Sequence, residues 1–322
     1  MQLIDAATLR RLVPMDRLLD AVEAAYRDVA AGRDRSPLRQ HLELEGGGLL
    51  VLMPAARLGG AGSAVKLITW TPGNPERGFP TIQGTVTWFD GATGEPAFQF
   101  DGPAVTALRT GAASGVGARL MARTDASVMG LIGAGAQGES QIRAVLAARP
   151  ITEVRVYART QGPREAFAEA MSAALPVAVR AVASAEEAVS GADVVCCVTP
   201  SETPVFEAAW LAPGAHVNAI GAFRMGMVEV PPAAFGRATL VAVDSRDAAG
   251  HEAGDLAAAV AVGELDRDAV VEIGSLSPDW VTTRDPQAIT IFKSVGLPIQ
   301  DLATADLAVA AWRAGADGAP GA

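Results

Sequence analysis

Three glycines in the stretch LIGAGAQGES, Gly133, Gly135 and Gly138, have the spacing of a loop that cradles a dinucleotide pyrophosphate. In such a loop one glycine permits the tight turn, one lets backbone N–H groups approach the phosphates, and one lets helix and strand pack closely. The unpaired N–H groups that open the following helix favour the phosphate charge. About twenty residues further on, where an NAD-binding strand usually ends in an acid that bonds the adenine ribose and repels a 2′-phosphate, the apolar run VRVYART ends in Arg159 and Thr160. A guanidinium forks onto phosphate and a hydroxyl adds a donor, so the pair points to NADP(H) as the preferred cofactor, with NAD(H) second. A solvated loop arginine is the plain alternative for Arg159.

Two more charges stand in unusual company. Lys66 is the only charge in SAVKLITW. A buried ammonium is costly unless partnered, and burial lowers its pKa toward the range where it can carry protons. A lysine snorkelling from a sheet edge is the alternative. Arg109, in LRTGAAS, lies in a run of small residues whose composition suits close backbone packing. Cys196 and Cys197 are neighbours in ADVVCCVTP; on a strand they point to opposite faces, so they suit small buried hydrophobes better than a redox pair. His41, His216 and His251 are scattered, and no HxxxH or CxxC spacing occurs, so no metal site is expected.

The elements that must hold these residues are visible as periodicity. SVMGLIG (127–133) reads as a strand and QGESQIRAVLAAR (137–149) as a helix with Ile142, Val145 and Leu146 on one face. Then follow a strand at 153–158, a helix near 164–174, a strand at 177–182 and a short helix at 185–189. Further strands are expected at 193–199, 215–221 and 239–244. Runs this rich in Val, Ile and Ala suit parallel strands covered on both faces, and their alternation with helices predicts an α/β fold with a doubly wound parallel sheet.

The first 110 residues differ. TIQGTVTWFD (81–90) places Ile82, Val86 and Trp88 on one face and Thr81, Gln83, Thr85 and Thr87 on the other; GATGEP then turns the chain into AFQFDG, a hairpin signature. With the amphipathic helix at 15–31, this part reads as an antiparallel α+β unit. The join falls near RTGAASGVGARLMA (109–122), and the amphipathic helix at 301–315 lies outside the doubly wound pattern, free to pack back on the first domain. Residues 1–115 with 300–322 are expected to form a substrate-binding and dimerisation domain, and 116–299 the NADP-binding domain. The closing GADGAPGA reads as a frayed end.

A chain of 322 residues, half of them apolar, has length for two cores. A net charge of −10 argues against nucleic acid or an anionic membrane as partner. The start MQLIDAATLRRLV has no signal-peptide pattern, no run approaches a membrane span, and a cytoplasmic location is expected.

Taken together, LMPA (52–55), Lys66, GFPTIQGTV (78–86), LRTGAASGVGARLMAR (108–123), GLIGAGAQG (130–138), HVNAIG (216–221), HEAGDL (251–256) and ITIFKSVGLPIQDLA (289–303) resemble the ornithine cyclodeaminase/mu-crystallin family nearly end to end. That resemblance implies a nucleotide domain and a substrate domain that pairs sheets across a dimer. It implies that Lys66 faces the substrate, that Arg109 serves both the substrate carboxylate and the cofactor, and that Arg39 also holds the carboxylate. Thr81, Ala136, Gln137, Thr199, Ile220, Gly221 and Ser294 match its cofactor-contact positions, and Val295 falls with the substrate-binding residues. His216 suits the core or a supporting place behind the site. Glu252 and Asp255 suit either a cleft lining or a solvated helix face.

One departure bears on the reaction. Where cyclodeaminases follow NAVG with a glycine and a catalytic aspartate, this chain has Ala222 and Phe223, and LLVLMP (49–54) offers no carboxylate for a distal ammonium. The expected reaction is therefore hydride transfer to a C=N bond: NADPH-dependent reduction of a cyclic 2-imino acid, Δ1-pyrroline-2-carboxylate or Δ1-piperideine-2-carboxylate, to L-proline or L-pipecolate. Arg39 and Arg109 would clamp the carboxylate, Lys66 would relay the proton, and Phe223 would pack on the ring. An amino-acid or opine-type dehydrogenase, an ornithine cyclodeaminase and a non-catalytic NADP-dependent binding protein are the alternatives.

Overall fold

A computed structural model describes residues 1–316; the expected frayed end lies, from residue 317, outside the described residues. The chain divides into two compact units, one formed by Met1–Arg109 with the chain from Leu297 onward, the other by Thr110–Gly296.

The first unit is built on a six-stranded sheet. Its strands are β1 (Gln2–Ile4), β2 (Gln40–Leu44), β3 (Gly48–Ala56), β4 (Gly62–Trp70), β5 (Ile82–Asp90) and β6 (Pro96–Asp101), in the order β1-β6-β5-β4-β3-β2. All neighbours are antiparallel except β1 and β6, which run parallel, so the sheet is mixed and not wholly antiparallel as expected. The difference has a simple origin: hairpin turns force the other strands antiparallel, whereas β1 and β6 are joined through the rest of the unit. Helix Met15–Ala30 buries Leu18, Leu19, Val22, Ala25 and Tyr26, the stripe its 3.6-residue period dictates. Helix Pro298–Ala316 belongs to the same unit. It is tied to the sheet through Asp306, which accepts from Trp88 Nε1 at 2.8 Å and Arg57 Nη2 at 3.0 Å.

The second unit is an eight-stranded parallel sheet. Its strands are β7 (Val128–Ile132), β8 (Glu153–Tyr157), β9 (Ala178–Ala181), β10 (Val194–Cys197), β11 (His216–Ala219), β12 (Ala238–Val243), β13 (Val271–Glu272) and β14 (Ile289–Lys293). The order β13-β12-β14-β11-β10-β7-β8-β9 makes it the expected doubly wound α/β sheet. The chain runs outward from β7 to β9 and then returns to β10, so the switch point lies between β7 and β10. Ile289–Lys293, quoted above for the family resemblance but not among the expected strands, supplies β14, whose five residues are all buried. Helix Gly102–Met121 carries the small-residue segment. A Cβ at Gly117 would strike Asn218 Oδ1 at 2.5 Å and the Phe292 ring at 2.6 Å, so glycine is what lets this helix lie against the sheet. His216 is fully buried, bonded to Thr290 Oγ1 and Asn218 Oδ1, which makes it a core residue; burial takes its pKa down to about 3. Both cysteines are buried and free, and burial pushes the Cys196 thiol up to about 12. Among the described residues no helix is long and apolar enough to cross a membrane.

Candidate active site

In the first unit, Lys66 sits in the middle of β4 and is buried, at 1% exposure. It is not an edge lysine. Its partner is Asp301, on the first turn of helix Pro298–Ala316, with Nζ 3.0 Å from Oδ1 and 2.8 Å from Oδ2. Arg109, on helix Gly102–Met121, brings Nε to 3.3 Å from the same Oδ1. One buried carboxylate thus faces two buried cations. Gln300 stands beside them: its Oε1 accepts from Leu297 N at 2.6 Å and Arg109 Nη1 at 3.4 Å, while its Nε2 donates to the Tyr26 hydroxyl at 2.6 Å. Burial pulls the Lys66 pKa down to about 7; Asp301 opposes this, and the charges of Arg109 and Arg39 add to it. Arg39, half-buried just ahead of β2, therefore lies within electrostatic reach of Lys66. Thr81 is half-buried at the head of β5, its carbonyl accepting from Thr71 N at 2.8 Å.

In the second unit the loop after β7 gives each glycine its own task. Gly133 has φ +114°, and a Cβ there would press on Val198. Above Gly135 a Cβ would meet nothing within 4 Å, which leaves the backbone open to a phosphate. At Gly138 a Cβ would run into the Phe167 ring at 2.7 Å, so that glycine serves packing. Ala136 is exposed, and the buried Oε1 of Gln137 has no hydrogen-bond partner among the described residues. Open backbone at Gly135 and a helix that starts at Gly138 fit a dinucleotide pyrophosphate.

Arg159 and Thr160 are both exposed just past β8. Beside them a second arginine, which the sequence alone did not single out, supports the turn. Arg164 is buried, donates to the Ala158 carbonyl at 3.0 Å and lies over the Tyr157 ring at 5.4 Å. Thr199 follows β10, and Ile220 and Gly221 follow β11. Gly221 backs so tightly on Thr199 that no side chain fits. Ser294 Oγ donates to Asp244 Oδ2 at 2.8 Å, and the backbone N–H groups of Val295 and Gly296 reach the same oxygen at 2.9 and 2.7 Å. Phe223 is 40% exposed, next to the buried Ala222.

A second buried charge cluster lies here, made of Asp255, Lys293 and Glu229, of which the sequence marks only Asp255 as a candidate. Asp255 is fully buried and not on a solvated face; it pairs with Lys293 at 2.7 Å and accepts from Glu229 N at 2.6 Å. Glu252 is half-buried and His251 exposed. Lys293 is the lone charge in ITIFK, the same signal that marks Lys66. Among the described residues no group of three or more His, Cys, Asp or Glu is disposed to hold a metal ion.

The profile of the ornithine cyclodeaminase/mu-crystallin family matches residues 2–316. A Δ1-pyrroline-2-carboxylate reductase of Bacillus cereus is 35% identical over 308 residues, 95% of this chain and 94% of that one. The solved structure of Thermococcus litoralis Δ1-pyrroline-2-carboxylate reductase in complex with NADH and L-proline matches with a TM-score of 0.90 at 31% identity, over 98% of each chain. An archaeal alanine dehydrogenase dimer with bound NAD matches with a TM-score of 0.87 at 31% identity, over 100% of this chain and 98% of that one. Fold, dinucleotide loop and relatives define an NAD(P)-dependent oxidoreductase. The chain belongs to the ornithine cyclodeaminase/mu-crystallin family.

Proposed function

We propose that this chain reduces a cyclic 2-imino acid, Δ1-pyrroline-2-carboxylate or Δ1-piperideine-2-carboxylate, to L-proline or L-pipecolate, with NADPH preferred over NADH. The observation that carries this is the pair of buried cations on a single buried carboxylate. Lys66, Arg109 and Asp301 together hold one positive charge too many when Lys66 is protonated. A substrate carboxylate balances that excess, and a guanidinium orients it through two parallel bonds. Arg39 adds a further cation within reach. When bound, the reduced nicotinamide supplies the hydride. The imine nitrogen must then gain a proton, and Lys66, tuned near neutrality, is placed to give it.

Cofactor roles are assigned to Gly133, Gly135, Ala136, Gln137, Gly138, Thr81, Thr199, Ile220, Gly221 and Ser294, with Arg109 shared between cofactor and substrate carboxylate and with Arg159 and Thr160 toward the 2′-phosphate. Phe223 and Val295 are assigned to the apolar ring of the substrate. The similarity to a reductase whose structure holds L-proline supports the substrate class. The exposed arginine where an acid would exclude a 2′-phosphate supports NADPH.

A substrate panel tests all of this together. Five- and six-membered cyclic imines should consume NADPH, with higher kcat/KM than with NADH, and ornithine should release no ammonia. Proline and ammonia from ornithine would restore the cyclodeaminase. Faster turnover of pyruvate with ammonia would make the chain an amino-acid dehydrogenase, and tight cofactor binding without turnover on any substrate would make it a binding protein. A higher kcat/KM with NADH would overturn the role given to Arg159.

We also propose a C2 homodimer joined through the first unit. The hairpin at 82–101 offers no free edge, because β5 and β6 are paired on both sides. The edges are β1 and β2, and β2 is the barer of the two: its five residues are all exposed, Leu42 at 56%. A strand edge with unpaired backbone groups and two exposed leucines, Leu42 and Leu44, is a template for pairing with a second copy. Light scattering at micromolar concentration should give twice the chain mass; a monomer would exclude this interface.

A further inference from the structure

Glu229 is fully buried on the segment that follows β11, and none of the roles above uses it. Its carboxylate accepts from two backbone N–H groups on different loops: Oε1 from Thr199 at 2.5 Å, after β10, and Oε2 from Ala222 at 2.9 Å, after β11. Its own N–H donates to Asp255 Oδ1 at 2.6 Å. Asp255 Oδ2 pairs with Lys293 Nζ at 2.7 Å, and the same Nζ donates to the Ala222 carbonyl at 2.5 Å. These bonds close a ring in which Ala222 is held through both its N–H and its C=O. Lys293 ends β14, so the ring ties together the carboxyl ends of β14, β11 and β10, three adjacent parallel strands. Sheets of this kind bind their ligands outside those ends, near the switch point.

The ring is also charged. Glu229 and Asp255 are two carboxylates against one ammonium, so the ring carries one net negative charge when all three are ionised. The groups facing Glu229 are Asp255, Lys293 and, from β10, the Cys197 thiol, which burial holds well above its ordinary range and therefore neutral. Burial lifts Glu229 itself to about 7, with Lys293 and the Thr199 N–H pulling the other way.

We propose that Glu229 is the positioning residue for the nicotinamide half of the cofactor, fixing the Thr199 and Ala222 loops together, and that its buried charge favours the oxidised form over the reduced. This rests on the cofactor roles given above to Thr199, Ile220 and Gly221. The oxidised nicotinamide carries one more positive charge than the reduced one, so a fixed anion beneath those loops holds it more tightly. Protonation of Glu229 removes that preference and leaves the reduced cofactor relatively better bound, which suits a reductase.

The test is the dissociation constant of oxidised and reduced cofactor, read by protein and nicotinamide fluorescence at pH 6 and pH 8.5. In the wild type the ratio Kd(oxidised)/Kd(reduced) should fall by about tenfold as pH rises, the size a single charge at moderate distance exerts inside a protein. Glu229→Gln should weaken both forms a few-fold, because a carboxamide cannot accept from both Thr199 and Ala222. It should also keep the ratio flat and high at every pH. Lys66→Met, which removes the other group poised near neutrality, should retain the wild-type slope. A Glu229→Gln protein that keeps the slope would overturn the charge role. Unchanged affinities in that variant would overturn the positioning role. Should Glu229→Gln fail to fold, Asp255→Asn provides the second reading: with one anion gone, the midpoint of the slope should move to lower pH, and an unmoved midpoint would refute the proposal. Absence of cofactor binding in the wild type would instead defeat the cofactor roles themselves.

Discussion

Arg109→Ala should lower kcat/KM for the cyclic imino acid by roughly 30- to 1000-fold, the equivalent of about 2–4 kcal/mol for one lost charge-assisted clamp in a water-poor site. NADPH affinity should change far less. The asymmetry follows from the roles proposed above: the guanidinium, held by Nε on Asp301 at 3.3 Å and Nη1 near Gln300 at 3.4 Å, is the fork for the substrate carboxylate, while the glycine loop and its neighbours carry most of the cofactor. Removing it also takes away a charge that depresses the Lys66 pKa, so Lys66 should titrate at higher pH in the variant. Lys66 still pairs with Asp301, so no buried carboxylate is left alone and the fold should persist, checked by an unchanged thermal transition. Arg109→Lys, with charge but no fork, should fall between alanine and the wild type. A loss below tenfold in the alanine variant would place the carboxylate clamp elsewhere.

Much of this site can be read from the chain itself, and the part that cannot has a physical cause. Lys66 stands out as a single charge in an apolar strand, and the glycine loop stands out because it follows a strand and opens a helix. Asp301 does not stand out. It lies 235 residues from Lys66, on a helix whose composition alone gives no reason to bury an acid, and only folding reveals the pair. Lys293 carries the same mark as Lys66, but its neighbours are not legible in the chain, because the strand it ends, β14, comes last in sequence yet sits between β12 and β11. Strand order is decided by which faces pack, and periodicity does not record it. The parallel pairing of β1 with β6 is the same kind of fact: it depends on a contact across the whole unit and leaves no local trace. Glu229 is hidden for another reason, since its bonds are to backbone N–H groups, which every sequence supplies.

Lys66→Met should lower kcat for imine reduction by roughly 10²- to 10⁴-fold, the range expected when a positioned proton donor is lost. The stronger evidence is the pH profile. Burial holds the Lys66 pKa down near 7, so the ammonium that donates the proton is present below that pH and disappears above it. Wild-type reduction should therefore slow as pH rises through about 7. The reverse oxidation of the cyclic amino acid needs the neutral amine as base, so it should speed up over the same interval. Methionine has similar length and no charge, and Arg109 remains to pair Asp301, so the fold should survive while both limbs flatten. Asp301→Asn gives the opposite check. Asp301 raises the Lys66 pKa against burial, so its loss should move the descending limb of reduction to lower pH and leave activity below that limb. A Lys66→Met enzyme that keeps both the rate and the slope of the wild type would show that the proton comes from another group, and Lys66 would then be no more than a structural partner of Asp301.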